Sequence, residues 1–174
     1  MDLLIKQNID NLKELIIRKA GPNDLKKVCK LILGSFISET HENIKELEGS
    51  KDASEKKFYA GYLNRVNAKI PFIIYVAEKK GELIGAASGS ISTMVWGYDK
   101  WGMEDYWFVK KEHRGGKAGI ILFNKLIKWF KNNDAKRIMM MHYAWNPKVK
   151  DFYEKKGFKP LESSYVYKVN RGKE

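Results

Sequence analysis

Val109-Lys110-Lys111-Glu112-His113-Arg114-Gly115-Gly116-Lys117-Ala118-Gly119 joins a strand-like run to a long amphipathic helix pattern. Upstream, Asp105-Tyr106-Trp107-Phe108-Val109 is aromatic and suited to a strand. Downstream, over 117–133, Ile120, Phe123, Leu126, Ile127 and Phe130 recur at helical spacing opposite Asn124, Lys125, Lys128, Lys131 and Asn132. Glycines at such a junction let backbone approach a ligand. The free N–H groups and positive dipole end of the helix then suit a phosphate. A Gly-rich helix entry is equally an ordinary tight turn. The run matches neither the dinucleotide-binding nor the Walker glycine pattern, which excludes both readings.

Working outward, Leu15–Ala20 reads as a strand stopped by Gly21-Pro22, and Asp24 opens a helix whose stripe is Leu25, Val28, Cys29, Ile32, Leu33 and Phe36. Cys29 lies on that stripe and reads as core, not nucleophile. Residues 37–55 read as a loop or broken helix with six acids (Glu39, Glu42, Glu46, Glu48, Asp52, Glu55) against Lys45 and Lys51. A helix is expected over about 52–69. Phe72–Ala77 and Leu83–Ala87, joined by a Gly-containing link, read as an antiparallel hairpin. An aromatic connection (Trp96, Tyr98, Trp101) follows. Beyond the long helix, Arg137–Trp145 reads as a continuous strand, Val149–Lys156 as a short helix, and Phe158–Val169 as a final strand pair. The first 13 residues read as a helical extension. This alternation predicts one domain over 1–174 of mixed α/β class, with helices covering a central sheet.

A second segment carries chemistry. In Asn146-Pro147-Lys148-Val149-Lys150-Asp151-Phe152-Tyr153-Glu154-Lys155-Lys156-Gly157-Phe158 a strand ends, a short helix presents Tyr153 and Gly157 is placed to cap it. Alone this is a capped helix with a core aromatic. Paired with the glycine-rich turn, it resembles the GNAT superfamily of acetyl-CoA-dependent N-acetyltransferases over about residues 15–169, in element order as well as motif. That family's pyrophosphate-binding signature is Arg or Gln, two residues, Gly, one residue, then Gly or Ala. Arg114 fits its first position and Gly119 its last, with Leu122-Phe123 following; Val109 stands five residues before the Arg. Lys117 replaces the usual middle glycine. A register shifted back by one would bring Gly116 and Ala118 into place but would put His113 where Arg or Gln belongs.

The resemblance implies a mostly antiparallel central sheet with helices on both faces, and acetyl-CoA as co-substrate held by Arg114, Gly115, Gly116, Lys117, Ala118, Gly119 and Asn146. It implies that Tyr153 protonates the departing thiolate, and that a backbone N–H of the fourth strand, at Phe108 or Val109, meets the oxyanion. A base or a water relay would accept the proton of the amine, and the family often carries a carboxylate on that strand for the purpose. Glu104 and Asp105 are the candidates; alternation sends them to opposite faces, and Glu104 is preferred. The reaction implied is direct acetyl transfer to a primary amine of a small molecule or protein. An acidic segment at 37–55 and an aromatic connection after the third strand suit a cationic acceptor through charge steering and cation–π contact.

The chain has 174 residues and a formal charge of +12. Residues 110–174 hold 17 basic and 6 acidic residues, so the excess falls on the half that carries both motifs. A nucleotide cofactor with a pyrophosphate is one polyanion to explain it; nucleic acid is the competing one. Against nucleic acid, only 5 of the 33 basic residues are Arg, and no DNA- or RNA-binding signature is found. A non-catalytic acyl-CoA-binding regulator is the other alternative, against which Tyr153 argues. No apolar run reaches the length of a membrane span, and no secretory leader pattern opens the chain, so a cytoplasmic protein is expected. His41, His113 and His142 have no metal-ligand spacing, so no metal is expected. A homodimer is left open.

Overall fold

Phe72–Lys79 (β2) and Glu82–Thr93 (β3), buried on both faces over much of their length, form a long antiparallel hairpin around Lys80-Gly81, both with positive φ. Around it, a computed structural model describes residues 15–43 and 54–166. Leu15–Lys19 (β1) pairs antiparallel with β2, and Lys100–Val109 (β4) pairs antiparallel with β3. Arg137–Met139 (β5) runs parallel to β4. The sheet order is β1-β2-β3-β4-β5. Thus it is mixed and mostly antiparallel, as expected.

Helices cover both faces. On one face lie Leu25–Leu31 (α1), continued through a π-type segment at Ile32–Ile37 into Ser38–Asn43 (α2), and then Glu55–Asn67 (α3). The core here joins Leu25, Val28, Leu31 and Ile32 to Ile74, Val76, Leu83, Ala86 and Phe108. Cys29 is fully buried on this helix, which matches its place on the apolar stripe. On the opposite face Lys117–Asn132 (α4) lays Ala118, Leu122, Leu126 and Phe130 on Ile73, Ala77, Ile84, Ala87, Ile91 and Val109. The last helix, Pro147–Lys155 (α5), follows β5. Among the described residues no helix is long and apolar enough to cross a membrane.

Close approach of α4 to the sheet depends on two glycines. A Cβ at Gly102 would lie 2.5 Å from the Phe130 ring, and one at Gly89 would lie 2.4 Å from it. Phe130 is itself fully buried and cannot retreat. Gly102→Ala is therefore expected to destabilise the fold by about 1–3 kcal/mol, roughly 3–10 °C in melting temperature. An unchanged thermal melt would contradict this packing.

Three expectations from sequence are corrected. The fifth strand does not continue to Trp145: pairing ends at Met103 and Met139, because β4 and β5 diverge there and the following residues lose their ladder partner. No strand forms over 158–166. Pro160 removes a donor, and Leu161, Tyr165 and Val166 lie exposed with no sheet face to cover them. The helix expected over 52–69 is shorter, beginning after Ser54, whose hydroxyl accepts from the Lys57 N–H at 3.1 Å. The expected helical extension at 1–13, most of 44–55 and the end of the final strand pair lie outside the described residues.

Candidate functional site

β4 and β5 pair over three residues only, Trp101–Met103 with Arg137–Met139, and then part. From that point a strand inside the sheet becomes two facing edges, with backbone groups free to bind something else. The divergence begins at Glu104. Its carboxylate is buried in the crotch, where Oε2 accepts the Met141 N–H at 2.9 Å and the Tyr153 hydroxyl at 3.3 Å. The same hydroxyl can donate to the Met141 carbonyl at 3.2 Å. Burial drives the Glu104 pKa up to about 7, against the pull of the Met141 N–H and Tyr153 and with the help of the neighbouring Asp105 charge. Burial also raises the Tyr153 phenol far above its ordinary value, reinforced by the Glu104 charge, so Tyr153 is a neutral donor at every working pH.

Local sequence holds Tyr153 in place. Gly157 takes φ +87° and closes α5 in a Schellman arrangement: Phe158 N–H bonds to Tyr153 C=O at 3.0 Å, and Gly157 N–H to Glu154 C=O at 3.0 Å. This folds Phe158 back onto the Tyr153 ring, 5.5 Å between centroids. Trp107 from β4 and Phe123 from α4 complete the aromatic seat at 5.9 and 6.2 Å. The cap that the sequence announces at Gly157 thus also orients the phenol.

On the paired side of β4, Lys110 N–H bonds to Ile84 C=O of β3 at 2.9 Å. Antiparallel pairing alternates, so Phe108 is engaged with β3 while the Val109 backbone turns outward to the side β5 has left. The Val109 carbonyl accepts Arg114 Nε at 2.8 Å. Of the two strand positions expected to offer a free N–H, the register favours Val109. The Phe108 side chain is buried on the α1 face beneath the Arg114 guanidinium, 5.1 Å away.

The turn from Arg114 to Gly119 resolves into distinct parts. Gly115 has φ +80°, a conformation that calls for glycine. Gly116 is the extended N-cap of α4, and no side chain caps the helix there, so its first N–H groups are available to an anion. Lys117 is exposed in the first turn with ordinary helical geometry, so it fits where a glycine was expected. Ala118 points into the core. The Gly119 carbonyl accepts Trp107 Nε1 at 2.9 Å, linking the helix entry to the aromatic seat. Asn146 is the N-cap residue of α5; its side chain makes no capping bond.

Asp105 goes the other way. The register shifts between Ser88 and Gly89, opposite Glu104–Tyr106, and Asp105 is the extra residue of this bulge. It faces α3, where Arg65 grips it at 2.5 and 2.7 Å and Ser88 donates at 2.8 Å. Beside it the Tyr106 hydroxyl is buried close to Ser88, with no partner at full hydrogen-bonding geometry among the described residues. Glu104 and Tyr153 are brought together; Asp105 is separated from them by the sheet.

Sequence reasoning passed over Glu39, Arg65 and Met141. Glu39 of α2 forms a fork with Arg114 at 2.9 and 2.5 Å. It was visible only as one of six acids, with no spacing to link it to a residue 75 positions on. Each described arginine is ion-paired: Arg18 with Asp24 and Glu78, Arg65 with Asp105, Arg114 with Glu39 and Arg137 with Asp99. Among the described residues no group of three or more His, Cys, Asp and Glu could hold a metal.

A family model of GNAT acetyltransferases matches residues 37–158. Among solved structures, a Trypanosoma brucei acetyltransferase shares 20% identity and a TM-score of 0.64 over 89% of this chain and 99% of that one. The glucosamine-6-phosphate N-acetyltransferase of Arabidopsis thaliana shares 19% identity and a TM-score of 0.64, over 90% and 99%. A predicted acetyltransferase of Clostridium acetobutylicum, solved with acetyl-CoA, shares 16% identity and a TM-score of 0.65, over 88% and 95%. At these identities the likeness is one of fold. A search of curated proteins returned no match.

Proposed function

The chain belongs to the GNAT acetyltransferase family, and on that premise we propose that it moves the acetyl group of acetyl-CoA directly to a primary amine of a small molecule or protein. The observation that carries the reading is the buried meeting of Tyr153 and Glu104 where β4 and β5 part. A proton donor and a carboxylate titrating near neutrality stand together at the only place where the sheet opens among the described residues.

The residues present suit the co-substrate. Backbone N–H groups from Gly115 to Gly119, at an uncapped helix start, offer a seat for a pyrophosphate, with Lys117 exposed beside it. The uncommitted Asn146 side chain and the outward edge of β4 offer polar groups to an extended amide-bearing arm. In the reaction the amine nitrogen bonds to the acetyl carbon and the carbon–sulfur bond breaks. Val109 N–H steadies the negative charge on the carbonyl oxygen. Tyr153 gives its proton to the leaving sulfur, and Glu104 takes the proton lost by the nitrogen. Asp105 is unsuited to that task, since Arg65 and Ser88 already occupy its oxygens.

A cationic acceptor is favoured by exposed Glu42 and the aromatic turn with Trp96 and Tyr98 open to solvent. Glu39 contributes less to that charge than the sequence suggests, because Arg114 neutralises it. The nucleic-acid alternative loses support for a related reason: the described arginine forks are engaged within the fold. The test is thiol release from acetyl-CoA over a panel of polyamines, basic peptides and neutral amines. Release with the cationic amines first is expected. Acetylation of neutral amines alone would remove the cationic preference, and no release with any amine would remove the function.

A further inference from the structure

α2 touches both arms of the opening. On the β4 side, Glu39 holds the Arg114 guanidinium with both carboxylate oxygens at 2.9 and 2.5 Å. On the β5 side, the neighbouring Thr40 is buried, and its side chain hydrogen-bonds to the Tyr143 phenol, which stacks on Trp145 at 4.3 Å. Arg114 follows the end of β4 and Tyr143 follows β5, and these strands have already separated at Met103 and Met139. A six-residue helix therefore bridges the gap between them. It reaches that position through Ile32–Ile37, where the hydrogen bonding of the helix widens to the π-type, a local irregularity at which helices bend.

The chemistry at the β4 end is that of an anion site already filled. Arg114 cannot swing freely: Nε is bonded to Val109 C=O, and the guanidinium lies on the Phe108 ring. Its remaining two nitrogens form a planar fork beside an uncapped helix start, geometry equally suited to a carboxylate or a phosphate. Arg114 and, more weakly, Lys111 hold Glu39 ionised, its pKa below the usual carboxylate value. The pair is about one-third exposed on each side, so water competes with it and a second anion can replace the carboxylate.

We propose that α2 is a strap across the β4–β5 opening, with the Glu39 carboxylate standing in for a cofactor phosphate at Arg114, and that coenzyme A displaces it. The inference rests on the functional reading above, since it takes the cofactor to be a pyrophosphate-bearing one. Opening the strap costs the contacts of Glu39 and Thr40, and that cost is subtracted from the affinity for the cofactor. Glu39 is accordingly a positioning residue set against binding, outside the reacting centre.

The test is calorimetric titration of coenzyme A into the full chain and into Glu39→Gln and Thr40→Val, with hydrogen exchange of residues 32–43 read before and after loading. Each variant is expected to bind coenzyme A two- to fivefold more tightly, roughly what an exposed ion pair is worth for Glu39 and a single hydrogen bond for Thr40. Exchange at 32–43 should rise on loading the unaltered protein and be raised beforehand in Glu39→Gln. Weaker or equal binding in both variants, with exchange at 32–43 slowed by coenzyme A, overturns the strap and makes α2 a wall of the cofactor site instead. Absence of binding to the unaltered protein overturns the functional reading itself, a result separable from either.

Discussion

Tyr153→Phe is expected to lower acetyl-transfer turnover by at least roughly 100-fold, the lower end of what a positioned general acid supplies. The ring should stay where it is. Phe158, Trp107 and Phe123 hold it through contacts that do not involve the hydroxyl, and the Gly157 cap fixes the helix end beneath it. What the substitution removes is one O–H, the donor facing Glu104 and the Met141 carbonyl. Those two acceptors lose a buried partner, so a stability cost of about 1–3 kcal/mol should accompany the kinetic loss. The Michaelis constant for acetyl-CoA should change little, which separates loss of proton donation from loss of the site. Turnover equal to that of the unaltered enzyme would take Tyr153 out of the reaction.

Glu104→Gln should make the protein both slower and, above neutrality, more stable. Folding keeps the Glu104 carboxyl protonated up to about pH 7, whereas in the unfolded chain it ionises near 4.5. Between these values the native state holds a proton that the unfolded state has released, so rising pH draws the equilibrium toward unfolding. Above pH 7 the penalty levels off at about 3 kcal/mol, from 1.36 kcal/mol per pKa unit. Glutamine has the same shape and still offers an oxygen to the Met141 N–H, but it has no proton to lose. The variant should therefore match the unaltered protein below pH 4.5 and exceed its stability by about 3 kcal/mol above pH 7. Denaturant melts across that range decide it. A stability difference independent of pH would mean that Glu104 is not buried as described.

The physical origin of this cost is the opening in the sheet. A parallel pair continuing beyond Met103 would satisfy the Met141 N–H with backbone; because the strands part, a carboxylate does so instead. Stability is given up at the point where the proposed chemistry needs a polar group, the pattern expected of a functional site.

Much of this was legible in the residues. The spacing of Phe123, Leu126 and Phe130 suffices for α4, since burial on one face imposes the period directly, although Ile120 of the expected stripe lies exposed; the two apolar runs around Gly81 suffice for the β2–β3 hairpin. Gly157 two residues after Lys155 announces the cap that seats Tyr153. The end of β5 was not legible: Arg137–Trp145 is dominated by apolar and aromatic residues, and a sequence does not say where a neighbouring strand turns away. The partner of Arg114 was hidden for the same reason, because Glu39 and Arg114 meet only through the fold. Alternation placed Glu104 and Asp105 on opposite faces, yet it could not reveal that Arg65 neutralises one while burial raises the pKa of the other.

A crystal structure of the protein with coenzyme A bound tests the roles of Tyr153 and of the glycine-rich turn most directly. The thiol is expected at the crotch of β4 and β5, with Tyr153 Oη turned from Glu104 to within about 3.5 Å of the sulfur. The pyrophosphate is expected on the backbone of Gly115 to Gly119. Coenzyme A seated elsewhere, with the Tyr153 hydroxyl out of reach of its sulfur, would contradict both roles.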